Sequence, residues 1–159
     1  MKSLRDDVLG ELTYEYGWTR EYNYPLWGRS VTVKLIVPCD EHAEIEDAQR
    51  DAFARFDESK GQMVILAERA VFDYYQSICN EYRERLGVEF ADTQAPRIQK
   101  IDQLEALIIP TEVVIQQSFK SGERIVGLLF RCSWEPELGL AVKFVGEEVE
   151  EVGTQDIVL

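Results

Sequence analysis

The chain has 159 residues, 45% of them hydrophobic, and carries 17 basic against 30 acidic side chains for a formal charge of −13. That length suits a single α+β domain over residues 1–159, large enough to hold a core without metal or disulfide. The charge has the wrong sign for nucleic acid as a direct ligand, and no run reaches the roughly 18 apolar residues of a membrane span. Asp6 and Asp7 interrupt the N-terminal segment, which lacks the apolar stretch of a secretory signal, so a cytoplasmic location is expected. Cys39, Cys79 and Cys132 are an odd, widely spaced set and read as small hydrophobes in or near a core.

Leu12–Tyr16 and Val31–Val37 read as strands; in the second, Val31, Val33, Leu35 and Val37 alternate with Thr32 and Lys34. The aromatic stretch between them, with Trp18, Tyr22, Tyr24 and Trp27, carries Pro25 and Gly28 and reads as the wide connection of a hairpin. Pro38 closes the strand, and Asp40 or Glu44 opens a helical region. There Ile45, Ala48, Ala52 and Phe56, then Val64, Ala67, Val71, Tyr74, Ile78 and Tyr82, recur at helical spacing. Gly61 predicts a break or kink between the two stripes, and Gly87 a C-terminal cap. The acids at the start, Glu41, Glu44, Glu46 and Asp47, suit the positive end of the helix dipole.

Residues 88–110 read as a loop with a short helix near Asp102–Leu107. The period then returns to two. Glu112–Gln117 is a strand, and Ile125–Trp134, apolar on both faces, is a central one. Leu140, Val142 and Phe144 follow the turn Glu135–Gly139, and Val149–Val152 and Gln155–Leu159 close an antiparallel meander. The expected architecture is an antiparallel sheet, N-terminal hairpin plus C-terminal meander, packed against a long or kinked central helix pair.

Little in the chain points to covalent or metal chemistry. The sole histidine, His42, sits among Asp40, Glu41 and Glu44 in a presumed loop or first turn, and a metal site wants several ligands converging on one point. The chain has no nucleophile elbow and no phosphate-binding glycine loop. A non-enzymatic role without catalytic residues, cofactor or metal is therefore expected. Packing across the sheet is the simpler account of Trp18, Tyr22, Tyr24 and Trp27, and a binding edge the sharper one. The acidic excess is concentrated: residues 40–86 hold twelve acids against six bases, and 127–159 hold seven against two. Asp51, Asp57 and Glu58 avoid the first apolar stripe, and Glu147 and Glu148 crowd the final turn. These are the candidate partner-binding residues.

Gly127-Leu-Leu-Phe-Arg-Cys-Ser-Trp134, Glu135-Pro-Glu-Leu-Gly-Leu-Ala-Val-Lys-Phe144 and Val152-Gly-Thr-Gln-Asp-Ile-Val-Leu159 resemble the closing pattern of a family of small bacterial proteins of unknown function. The likeness extends to Leu9-Gly10-Glu-Leu12 and to the helix through Gln49, Phe53, Phe56, Phe72, Tyr74 and Tyr75. Such proteins are similar in kind to immunity proteins of bacterial toxin systems. Many carry His where Leu138 stands, so no chemistry is expected at that turn. No activity attaches to that family; the resemblance and the acidic excess together make the leading expectation a protein-binding module, immunity- or antitoxin-like, whose acidic face masks a basic toxin. The alternatives are a regulatory or structural interaction domain, or a small-ligand sensor using the aromatic stretch 18–27.

Overall fold

The computed structural model describes residues 2–120 and 122–159. Strands β1 (Ser3–Asp6), β2 (Gly10–Tyr14), β3 (Trp18–Leu26) and β4 (Arg29–Val37) precede helix α1 (Asp47–Leu86) and the single-turn α2 (Ala91–Gln94). A 3₁₀ helix, Ile101–Ala106, then leads into β5 (Ile108–Gln116), β6 (Ile125–Cys132), β7 (Leu140–Val145) and β8 (Glu148–Gly153). All eight strands lie in one sheet in sequence order, with α1 packed across one face. Among the described residues no helix is long and apolar enough to cross a membrane.

The α+β class and the meander β5 to β8 agree with the sequence pattern, and four particulars differ. The sheet is mixed, because β4 and β5 pair in parallel through Leu35↔Val113. A parallel pair needs a long crossover, and α1 supplies it. The helical region is one helix of 40 residues, not a pair. Gly61 costs about 1 kcal/mol there, but Phe56, Met63, Val64 and Ala67 are buried on either side of it and packing outweighs the cost. The aromatic stretch 18–27 is not a wide connection but strand β3, joined to β4 by the tight turn Trp27-Gly28. Both turn residues have positive φ, 53° and 75°, as a type I′ hairpin requires. Finally, Gln155–Ile157 is a 3₁₀ turn rather than a last strand, and β1 and α2 are additional elements.

Two sets of polar contacts position these parts. Gln49 is completely buried. Its Nε2 donates to the carbonyls of Pro38 (2.8 Å) and Ile115 (3.0 Å), and its Oε1 accepts from the Glu46 amide (3.0 Å). One side chain thus caps α1 and ties it to the ends of both parallel strands. At the opposite face the C-terminal segment lies over β5 to β7. Val158 packs with Val114, Leu129 and Ala141 in a second, small core. Gln155 Nε2 donates to the Phe130 carbonyl (2.9 Å), and Gln116 Nε2 to the Val158 carbonyl (2.8 Å).

Candidate functional surface

Strand alternation decides the fate of the aromatic residues. Trp18, Tyr22, Tyr24 and Leu26 lie at even spacings of four, two and two, point to the helix side of the sheet, and are all buried. Tyr22 stacks edge-on against Phe53 at 5.5 Å and donates its hydroxyl to Asp57 Oδ1 (2.7 Å). Burial first, and then the neighbouring Asp57 carboxylate, raise the Tyr22 phenol well above its ordinary range. Burial does the same for Tyr24, with Glu68 adding to it. Trp27 is half-buried at φ 53°, unusual for a bulky residue. Its backbone amide donates to Glu68 Oε2 (2.7 Å), which holds the turn against α1. The reading of 18–27 as an exposed binding edge is thereby corrected: three of its four aromatics are core. The signal was in the sequence, as the even spacing of Trp18, Tyr22, Tyr24 and Leu26. Pro25 masked it, although proline is tolerated here because β2 pairs only with Trp18 and Thr19 and leaves that edge of β3 open.

The acidic candidates divide into used and free. Asp57 accepts from Tyr22 and from Lys60 Nζ (3.2 Å). Burial pushes its carboxyl up, but these hydrogen bonds and the charges of Lys60 and Arg20 outweigh it and hold the pKa below the ordinary value. Glu147 lies between two arginines, 3.0 Å from Arg124 and 3.7 Å from Arg55 of α1. Asp51, Glu58 and Glu148 are exposed and form no ion pair among the described residues, and the same holds for Glu151. The Arg55–Glu147 contact brings the first turns of α1 and the β7–β8 turn to one side of the molecule, so the two acidic clusters of the sequence are neighbours. Glu148 and Glu151 stand on β8, the last strand of the sheet, where charge discourages edge-to-edge pairing.

The potentially reactive groups are elsewhere and deep. All three thiols are free and buried. Burial raises the Cys39 thiol and pushes Cys132 up to about 12. Cys79 lies beside Tyr75, whose ring meets Trp134 at 4.7 Å and whose hydroxyl donates to the Pro96 carbonyl (2.6 Å). Tyr82 donates to Glu135 (3.0 Å), and burial followed by that bond pushes its phenol to about 12. His42 is exposed in a turn, its amide bonded to Asp40 Oδ1 (2.9 Å). Among the described residues no three His, Cys, Asp or Glu side chains converge closely enough to hold a metal ion.

The chain belongs to the family described as a domain of unknown function, DUF6985, which it matches over residues 8–159. No curated protein and no solved structure matches it.

Proposed function

We propose that this member of the DUF6985 family is a non-enzymatic protein-binding module of the cytoplasm, immunity- or antitoxin-like, whose acidic surface takes a basic protein partner. The observation that carries the reading is the juxtaposition, through Arg55 and Glu147, of two acidic regions that lie far apart in the chain, with Asp51, Glu148 and Glu151 left exposed. A surface of this kind, on a chain of formal charge −13, draws a basic partner by long-range attraction and raises the encounter rate. Burial raises the Cys39 and Cys132 thiols and so disfavours the reactive thiolate at both.

The test is association kinetics with the partner captured from source cells, across a salt series. Replacing Asp51 with Asn and Glu148 and Glu151 with Gln should lower the on-rate about tenfold at low salt. Asp57 is left intact because it holds Tyr22. An on-rate indifferent to both salt and the triple substitution would leave the charge as a solubility coat only.

A further inference from the structure

The sheet is open along one side of an inner strand. β2 pairs with β3 only at Trp18 and Thr19, while Gly10–Leu12 pair with β1 alone. Continued in the same register, the β2–β3 ladder would set Glu11 directly opposite Glu21, and like charges so placed repel. The Arg20 guanidinium stands in the gap instead: its Nε donates to the Leu9 carbonyl (2.6 Å) and its Nη1 to the Glu21 carbonyl (3.0 Å).

The two-residue turn Trp27-Gly28 makes Leu26 and Arg29 a hydrogen-bonded pair, so the main-chain groups of Tyr22, Tyr24 and Leu26 point to β4. Those of Glu21, Asn23 and Pro25 point the other way, to the open edge. Such an edge is a template for pairing with another chain. Here every residue along it is blunted. The Glu21 carbonyl is taken by Arg20, the Asn23 carbonyl accepts from Lys60 Nζ (3.0 Å), and Pro25 has no N–H to give. Lys60 is itself held in place, with Nζ 3.2 Å from Asp57 Oδ1 and 4.7 Å from the centre of the Tyr22 ring. Arg20 is steadied over the Phe53 ring at 5.4 Å. An incoming strand would have to displace or desolvate both cations, and an unpaired charge is costly to bury.

We propose that Arg20, Lys60 and Pro25 guard this edge and keep a second copy of the chain from adding a strand to the sheet beside β3. The guard is assembled by the fold, since Lys60 belongs to α1 and reaches a strand residue 37 positions away. It does not rest on the basic-partner reading, and its failure would leave the salt-dependent kinetics untouched.

Sedimentation velocity over a concentration series, together with residue-resolved amide exchange, tests this with the full chain. In the wild type the Glu21 and Asn23 amides should exchange fast, having no strand beside them. The double variant Lys60→Met, Pro25→Thr frees one main-chain acceptor and restores one donor. It should self-associate more strongly than wild type by more than about tenfold, with exchange at Glu21 and Asn23 slowing as concentration rises. Lys60→Arg keeps a cation over the edge and should behave as wild type. Pro25→Thr alone leaves every contact of α1 intact and should shift association the same way by less, a reading that stands even where the double variant folds poorly. Slow exchange of the two amides in dilute wild type would overturn the proposal. So would variants no more associated than wild type, association that leaves those amides unprotected, or equal association in Lys60→Arg.

Discussion

The two halves of the sheet carry the same helix on one face and differ on the other. Behind β5 to β7 the C-terminal segment forms a second core, and β6 is buried on both sides apart from Arg131. Behind β3 and β4 the sheet is largely open: Glu21, Asn23, Thr32 and Lys34 face solvent, and Ile36 reaches the edge of the second core. The fit of the covered half is tight. A methyl group at Gly127 would stand 2.9 Å from the Val158 side chain, and one at Gly139 would stand 2.6 Å from Gln155 Nε2. Burial of a strand thus follows from what lies across it and not from strand propensity: β3 and β6 are comparably rich in β-formers, yet only β6 has lost its polar alternation.

Breaking the covered half should cost most. Val126→Asp places a charge at a position 1% exposed, on the strand that both cores share, and should destabilise by more than about 4 kcal/mol. Chemical denaturation would register it, and a cooperative transition near the wild-type midpoint would contradict the account.

A sharper comparison uses matched substitutions on the two rear faces. Gly127→Ala should cost about 1–3 kcal/mol by overpacking against Val158, with faster amide exchange in the C-terminal segment. Thr32→Val, behind β4, gives up only an exposed bond to Asn23 and should stay within about 0.5 kcal/mol of wild type. Equal effects at the two positions would remove the asymmetry.

A smaller effect than Gly127→Ala should come from the contact that ties β3 to α1. Tyr22→Phe removes the donor to Asp57 and should cost about 0.5–1.5 kcal/mol. Because the folded pKa of Asp57 is depressed, its contribution is present above the ordinary carboxylate pKa and fades as pH falls through the folded value. In Tyr22→Phe the Asp57 pKa should rise toward normal in an NMR titration, and the loss of stability in acid should become shallower. An unchanged Asp57 titration would show that Lys60 and Arg20 alone set it.

Periodicity by itself determined the helical stripes of α1, the alternation of β4 and β7, and the two-sided burial of β6, because side-chain direction is a local consequence of backbone geometry. Composition likewise located the acidic excess in the regions that hold Asp51, Glu58, Glu147 and Glu148. Only the tertiary structure decided that Gly61 stays within one helix, since the burial of Phe56 and Met63 exceeds a propensity cost the sequence shows in isolation. It also decided that β4 and β5 run parallel, that Gln49 is a buried clamp and not a surface residue, and that Asp57 is held by Tyr22 while Asp51 is free. Each of these depends on a contact between residues distant in the chain, and no local pattern encodes which strand end or hydroxyl a side chain will meet.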